Sequence, residues 1–372
     1  MSARAALIAL AGALAACSST SGPKPAELTA LPHGAEVRTL WKASVGDGGR
    51  FIFSPALAEG SVFAAARDGT VLRLDATSGR TQWSVSAGTR LSAGVGADAR
   101  TVAVANEDGE VIALDATSGE RRWSARVSSE VIAAPAVGAD LVLVRSIDNR
   151  VFAFGAQDGK RRWIYQRAPS SLIIRAPAGV TIDGETAFAG FAGGKLAALA
   201  LANGGVRWEA TVALPKGATE LERVTDVVGA PVVQGSEVCA ATYQGRVGCY
   251  EQASGRQVWA RDISTLTGVG LDPRYAFVAD DRGAVQAFDR SNGRSVWKQD
   301  KLANRQLSLP QPVGEALAVG DFQGYVHFLA RDTGAFIARY ATRGGPVRAA
   351  LRPLPGGVLV QTQDGSLHAL AL

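Results

Sequence analysis

The residues of this chain that could do chemistry are few, and their spacing favours structural roles. The 372-residue sequence holds three histidines, His33, His327 and His368, and no two of them have the spacing of metal ligands. His327 and His368 occupy equivalent positions in successive copies of a repeat described below, which indicates packing rather than ligation. Neither a Gly-Xaa-Ser-Xaa-Gly elbow nor a phosphate-binding glycine loop occurs. The sequence therefore predicts no metal centre, no nucleophilic active site and no catalytic residue.

Two aspartates, Asp75 and Asp115, look at first like an acid pair for general acid-base work. Both stand at the same point of a repeated motif, Leu-Asp-Ala-Thr-Ser-Gly, which runs from 74 to 79 and again from 114 to 119. An Asp at that point can accept hydrogen bonds from the backbone of the turn that leads to the glycine. We interpret both residues as turn caps.

The three cysteines divide into one near the N-terminus, Cys17, and a pair, Cys239 and Cys249. The pair flanks a hairpin, VCAATYQGRVGCY, whose three-residue loop sets Cys239 directly opposite Cys249. A disulfide suits an exported chain in an oxidising compartment, and two buried free thiols are the alternative. Both interpretations are structural, because no His or acidic neighbour suggests redox chemistry.

The motif around Asp75 belongs to a repeat of roughly 40 residues, and such a period indicates a repeat architecture. Its best marked position is a Trp four residues after the glycine. This position recurs at Trp41, Trp83, Trp123, Trp163, Trp208, Trp259 and Trp297, with Ala338 as an eighth.

Each repeat also contains a hairpin with a three-residue loop that ends in a left-handed residue. The marks of these loops are Gly69, Gly109, Asn149, Gly194, Gly245, Gly283, Gly324 and Gly365. Asn is the usual substitute for glycine in that conformation. The register sets apolar residues opposite each other, as side-chain alternation requires. It predicts the pairs Val62–Leu74, Ala64–Leu72, Val102–Leu114, Val104–Ile112, Val142–Phe154 and Val144–Phe152.

The Trp series and the hairpin series are offset, because Trp41 precedes the first hairpin and Gly365 follows the last Trp position. A ring resolves the offset if the N-terminal strand around Trp41 completes the blade that the last hairpin begins. The sequence therefore predicts an all-β fold, an eight-bladed β-propeller over residues 37–372.

The N-terminus has the features of an exported, anchored protein. Residues 1–16 read as a signal peptide, since Arg4 precedes a short apolar run. The run ends in Leu14-Ala15-Ala16-Cys17, which resembles the bacterial lipobox and implies that Cys17 is lipidated; an ordinary secretory signal is the alternative. Residues 17–36, rich in Ser, Pro and Gly, predict a flexible tether. Ser18 after the lipidated residue favours the periplasmic face of the outer membrane.

Composition argues against other classes of partner. The formal charge of +5 is mild, and the Lys and Arg residues are scattered with few aromatic residues among them. This pattern does not favour nucleic-acid binding. After residue 16, no segment is apolar for long enough to span a membrane as a helix.

Two consecutive connections between repeats are enlarged. Trp163 and Trp208 are 45 residues apart, and Trp208 and Trp259 are 51 residues apart. The extra residues fall at 165–178 and 211–229, in connections that emerge on the same face of a propeller as the hairpins. Neighbouring long loops on one face predict a binding surface.

Two family resemblances follow from these motifs. The repeat resembles that of pyrroloquinoline-quinone dehydrogenases, in which the Trp docks on the neighbouring blade and the Gly leaves room for it. Those enzymes are longer, and many have an adjacent cysteine pair that this chain lacks. The lipobox, the tether and the lone propeller together resemble the BamB family, lipoproteins of the outer-membrane β-barrel assembly (BAM) machinery.

The BamB resemblance implies a non-catalytic scaffold without a cofactor. It would dock on the periplasmic POTRA domains of the pore subunit and help unfolded outer-membrane protein clients to reach it. By position, the residues that would bind the partner are Leu172, Ile174, Arg175, Arg223 and Asp226. The alternative at these loops is that Leu172 and Ile174 pack under their own loop while Arg175 pairs with Asp226.

Two other functions remain as hypotheses. One is a quinone-dependent periplasmic dehydrogenase, which the shared repeat suggests. The other is a lipid-anchored protein that binds a glycan or a small ligand in the central channel.

Overall fold

Strands alone make up the regular structure of the chain. The computed structural model describes residues 23–31, 34–168 and 172–372. Over these ranges it contains 32 strands in eight antiparallel sheets of four, and no helix. No helix in the described part could therefore span a membrane.

Each sheet is one blade, and blades 1 to 7 take their four strands in chain order. Blade 1 comprises β2 (Ala56–Ala58), β3 (Ser61–Ala65), β4 (Thr70–Asp75) and β5 (Thr81–Ser86), and blade 2 comprises β6 (Ala93–Ala97), β7 (Thr101–Ala105), β8 (Glu110–Asp115) and β9 (Arg121–Arg126). Blade 3 comprises β10 (Ala136–Gly138), β11 (Leu141–Ser146), β12 (Arg150–Gly155) and β13 (Arg161–Gln166), and blade 4 comprises β14 (Val180–Asp183), β15 (Thr186–Phe191), β16 (Lys195–Ala200) and β17 (Val206–Thr211).

Blade 5 comprises β18 (Val227–Gln234), β19 (Glu237–Thr242), β20 (Arg246–Glu251) and β21 (Gln257–Asp262). Blade 6 comprises β22 (Gly270–Leu271), β23 (Tyr275–Ala279), β24 (Val285–Asp289) and β25 (Ser295–Gln299), and blade 7 comprises β26 (Gln311–Val313), β27 (Ala316–Gly320), β28 (Tyr325–Ala330) and β29 (Phe336–Ala341). Blade 8 comprises β30 (Arg352–Leu354), β31 (Gly357–Gln361), β32 (Ser366–Ala371) and, as its outer strand, β1 (Arg38–Ser44).

The ring closes through the N-terminal strand, as the sequence predicts. β1 pairs antiparallel with β32, and Trp41 lies opposite Ala369. The outer strand of blade 8 thus comes from one end of the chain and its three inner strands from the other. This pairing confirms the eight-bladed propeller and its mode of closure.

The predicted hairpin registers are confirmed in blades 1, 2 and 3, where all six apolar pairs form. Asn149 takes the left-handed conformation with φ 63°. The prediction for Gly245 is wrong, because the left-handed residue of that loop is Gln244, with φ 48°. Gly245 is needed there for space instead: a Cβ atom on it would lie 2.6 Å from the Cβ of Ala213.

The apolar core lies mainly in the seams between neighbouring blades, and seven seams share one device. The indole Nε1–H of a Trp on each outer strand donates to a carbonyl of the next blade, at 2.5 to 3.1 Å. Its ring packs against the motif glycine of that blade; a Cβ on Gly79 would lie 2.5 Å from Trp41. These contacts confirm that each Trp docks on the neighbouring blade, as the resemblance to the quinone dehydrogenases implies.

The N-terminal segment shows a difference from the predicted flexible tether. Residues 23–31 lie against blades 6 and 7, where Arg305 donates to the carbonyl of Ala26 and Arg339 to that of Thr29, both at 3.0 Å. Arg305 is buried and also bonded to buried Asp321 at 2.7 Å, so its guanidinium is a fixed donor. Sequence composition could not reveal these partners, because they lie 279 and 310 residues further along the chain. The predicted signal peptide and Cys17 lie outside the described residues.

Candidate partner-binding surface

The two enlarged connections lie side by side and contact each other. The first loop, of which residues 167–168 and 172–179 are described, joins blades 3 and 4, and the second loop, residues 212–226, joins blades 4 and 5. The N–H of Ile174 on the first loop donates to the carboxylate of Asp226, the last residue of the second loop, at 2.8 Å. The two loops therefore form one surface, on the face that carries the hairpins.

Asp226 holds the first loop from below and does not face solvent. It is 5% exposed, and its carboxylate accepts the N–H of Ile174 at 2.8 Å and that of Gly193 at 3.2 Å. Burial raises the pKa of Asp226, while these two donors and the charge of Arg145 oppose the rise. Burial also lowers the pKa of Arg145, to about 10. Asp226 thus fixes the backbone of the first loop.

Arg175 reaches from the first loop to the connections that precede blades 1 and 3. It forms an ion pair with Glu130, and its guanidinium lies over the ring of Phe51 at 5.8 Å. Arg50 and Arg67 lie over the same ring, at 4.9 and 4.8 Å. The alternative pairing of Arg175 with Asp226 is thus replaced by a pairing with Glu130. Glu130 and Phe51 escaped sequence reasoning because no local pattern connects them with Arg175.

The exposed apolar side chains of the surface come from both loops. Leu172 is 43% exposed on the first loop, while Leu214 and Leu221 are 64% and 70% exposed on the second. Ile174 is half-buried at the small cavity that Arg145 and Asp226 also line. Sequence reasoning missed Leu214 and Leu221, although their position in an enlarged loop was a usable signal.

Arg223 and Glu222 shape the second loop. Arg223 is exposed, and its Nε donates to the carbonyl of Gly217 at 3.0 Å. The Glu222 carboxylate accepts the N–H groups of Ala218 and Thr219, which lowers its pKa. The loop is therefore closed by its own hydrogen bonds and presents Arg223 beside exposed leucines. Arg among apolar side chains is a common composition for the centre of a protein interface.

The other residues singled out in the sequence have structural surroundings. Asp75 and Asp115 each accept the backbone N–H groups two and three residues ahead, which confirms both as turn caps. His327 bonds buried Asp321 at 2.9 Å, and His368 lies beside Tyr340. Cys239 and Cys249 are opposite each other as predicted, with Cα atoms 4.1 Å apart, and their sulfur atoms are joined.

The surface offers little to a cofactor. Among the described residues, no group of three or more His, Cys, Asp or Glu side chains could hold a metal ion. The cavity beneath the first loop measures about 20 Å³, which suits a single water molecule and not a quinone. What the loops present is an outward-facing set of arginine and leucine side chains.

Comparison with known proteins agrees with this description. The family described as outer membrane protein assembly factor BamB matches residues 26–90 and 67–299. The assembly factor BamB of Bordetella pertussis is 47% identical over 97% of this chain and 94% of its own length. A crystal structure of BamB from Moraxella catarrhalis superposes with a TM-score of 0.82, at 25% identity over 91% of this chain and 100% of that one. A quinohemoprotein alcohol dehydrogenase from Comamonas testosteroni shares the fold alone, with a TM-score of 0.68 at 12% identity over 90% of this chain and 76% of that one.

Proposed function

This chain belongs to the BamB family of outer membrane protein assembly factors, and we propose that it docks through its two enlarged loops on the pore subunit of the assembly machinery. The docking partner would be the periplasmic POTRA domains of that subunit. The observation that carries the proposal is the exposure of Leu172 and Arg175 on the first loop and of Leu214, Leu221 and Arg223 on the second, with the two loops joined by the hydrogen bond from Ile174 to Asp226.

The bonds that hold the described residues of the two loops support a binding role. Asp226 bonds the backbone of the first loop, Glu222 closes the second, and Arg175 is paired with Glu130. A surface that is already ordered loses less conformational entropy when it binds a partner. In this proposal Leu172, Ile174, Arg175 and Arg223 contact the partner, whereas Asp226 acts by positioning the first loop.

The scaffold does no chemistry of its own in this proposal. It needs no cofactor, and its clients are unfolded outer-membrane proteins whose strands could add to the outer edges of blades. The relatives are named as assembly factors, and the likeness to the quinohemoprotein dehydrogenase extends only to the fold. Stoichiometric binding of pyrroloquinoline quinone with calcium, seen by its absorbance, would contradict a purely non-catalytic role.

The anchor completes the proposal. Cys17 would carry the lipid and hold the chain on the periplasmic face of the outer membrane. The docked segment supports this arrangement, because Lys24 is seven residues after Cys17 and its carbonyl accepts the side-chain amide of Asn304 at 3.0 Å. The anchor would then leave the propeller beside blades 6 and 7.

Leu172→Glu tests the docking surface. We expect the pore subunit to disappear from material co-purified through a C-terminal tag, since loss of an interface centre costs about 2 kcal/mol or more. The melting temperature should stay near that of wild type, because Leu172 is already exposed. Val206→Glu is the matched control, with 50% exposure at the start of β17 and away from both loops, and it should co-purify normally. Normal co-purification by Leu172→Glu would overturn the assignment of the surface.

The test of Arg175 requires a second variant, because substitution of Arg175 alone also leaves Glu130 without its ion-pair partner. Arg175→Glu should abolish co-purification, and adding Glu130→Arg rebuilds the ion pair with reversed charges. If Arg175 contacts the partner, the double variant stays unable to bind although the loop is restored. Recovery of binding would make Arg175 a positioning residue like Asp226.

A further inference from the structure

The seam between blades 7 and 8 lacks the device that fills the other seven. Ala338 stands where the other outer strands carry a Trp, and it is opposite Phe328 on β28. In the Trp-bearing seams around blades 2 to 4 the equivalent partner is a small residue: Ala113, Ala153 and Ala198 face Trp123, Trp163 and Trp208. Phe328 therefore takes only part of the room that an indole occupies elsewhere.

An open cavity of about 430 Å³ remains at this seam. Its walls come from both blades and are largely apolar; they include Val313, Phe328, Ile337, Leu354, Leu370 and Leu372. Gly314 and Gly356 also line it, and they lie in the turns that join the first two strands of blades 7 and 8. Since strand direction alternates, these turns lie on the face opposite the hairpins and the two enlarged loops.

A hydrogen-bond acceptor stands at the matching position of the repeat. Each carbonyl that accepts an indole N–H belongs to the residue two places after the apolar residue that begins the repeated motif. Ala76 follows Leu74 in this way, and Ala116 follows Leu114. The same spacing from Leu370 leads to Leu372, which lines the cavity and is 47% exposed. The seam thus retains apolar walls and a backbone acceptor, while the described residues supply neither an indole nor a counterpart of the motif glycine.

We propose that this seam is a binding site for the indole of a tryptophan side chain on an extended segment of a partner polypeptide. The seven Trp-bearing seams of the same molecule show which group fits between two blades, and in each the indole arrives on a strand. An incoming Trp would bury its ring against Phe328, Ile337 and Leu354 and donate its N–H to a backbone oxygen of Leu372. Trp adds a large apolar area together with one polar donor, which matches these walls and this acceptor.

The site is independent of the loop surface and of docking on the pore subunit. It lies on the opposite face, so one chain could hold both ligands together. Its test uses the purified chain alone, and failure to find the pore subunit in a pull-down would leave it unaffected.

The probe is a fluorescent ten-residue peptide of Ser, Thr and Gly with one central Trp, compared with the same peptide carrying Ala. Anisotropy titration of the wild-type chain should show at least about thirtyfold weaker binding of the Ala peptide, as for loss of an interface anchor. Equal affinity for the two peptides would overturn the proposal.

Two variants locate the site. Phe328→Ala combined with Ala338→Trp rebuilds the pair found in the other seams, so the chain fills its own cavity. We expect the Trp peptide to lose binding about thirtyfold while the melting temperature is kept or raised. Leu372→Glu places a charge at the rim without repacking the core and should weaken binding similarly; it decides the matter if the double variant fails to fold.

Leu266→Glu is the control for Leu372→Glu, since Leu266 is 52% exposed in the connection between blades 5 and 6 and should leave binding unchanged. Wild-type affinity in both the double variant and Leu372→Glu would place the peptide elsewhere. Sedimentation gives the last outcome: a wild-type dimer that Leu372→Glu dissociates would mean that a second copy of the chain occupies the seam, against the proposal.

Discussion

At the scale of single residues, the polar groups that look catalytic serve to hold turns and blades. The backbone N–H of Ser118 and the guanidinium of Arg122 lower the pKa of Asp115 to about 2. A carboxylate so bound favours the turn in its charged form and is a poor proton acceptor near neutral pH. Asp75 is held in the same way by Ser78. The carboxylates of Asp75 and Asp115 therefore have their hydrogen bonds within the fold.

His368 makes the stability of the propeller depend on pH. Burial, followed by the charge of Lys42, lowers its pKa to about 4 from 6.5. The unfolded chain thus binds more protons between pH 6.5 and pH 4, so the free energy of unfolding falls as the pH falls through that window, by at most about 3 kcal/mol. Urea unfolding at pH 7.5, 6 and 5 should show this decline, and His368→Gln should reduce it. If the free energy of unfolding of the variant declined with pH as in wild type, other groups would cause the decline. His327, whose pKa is also lowered, is one of them.

At the scale of the structural element, the Trp-on-Gly contact is the unit that joins one blade to the next. The indole N–H satisfies a carbonyl at the end of the neighbouring strand, and the ring covers the glycine beside it. Trp163 does this to Leu201 and Gly204 of blade 4. The contact recurs on blades 1 to 7, each of which offers the glycine to the Trp of the blade before it.

Gly204→Ala measures the contact. A Cβ at Gly204 would lie 2.6 Å from the ring of Trp163, and its φ of 72° adds backbone strain. Gly184→Ala is the matched control in the same blade, since its φ is 52° but nothing lies within 4 Å of the added carbon. We expect about 1 kcal/mol of destabilisation for Gly184→Ala and about 3 kcal/mol for Gly204→Ala, by urea unfolding. Equal losses would show that the left-handed conformation, and not the ring, requires glycine at 204.

At the scale of the whole molecule, the N-terminal chain has two attachments to the propeller. It docks on blades 6 and 7 through Arg305 and Arg339 and then closes the ring as β1. A load applied to a lipid at Cys17 would therefore reach the propeller first at blades 6 and 7, next to its closure. The enlarged loops lie elsewhere on the ring, between blades 3 and 4 and between blades 4 and 5.

Cys17→Ala tests the anchor. We expect the variant to be unprocessed or unanchored and to incorporate no acyl label, because the thiol that would carry the lipid is gone. Membrane fractionation with acyl labelling checks this. As a control for folding, the purified variant should have the same melting temperature as wild type. Wild-type acyl labelling of the variant would contradict lipidation at this residue.

The sequence by itself determined the blade count, the ring closure and the hairpin registers. These features depend on contacts within one repeat or between adjacent copies, and such contacts leave a periodic record. Val62 opposite Leu74 and Cys239 opposite Cys249 follow from side-chain alternation and a loop length alone. The enlarged loops and the exposed position of Leu172 could be found in the same way, from a break in the period.

Only the tertiary structure decided what the loop residues do. Asp226 is buried under Ile174, and Arg175 pairs with Glu130 over Phe51, because the ring brings together residues from separate blades. The docking of residues 23–31 on Arg305 and Arg339 and the cavity beside Phe328 have the same origin. A periodic pattern specifies the neighbour within a repeat, but not which side chain a non-repeating loop meets across the ring. Those partners depend on the radius and tilt of the blades, which arise only when all eight pack together.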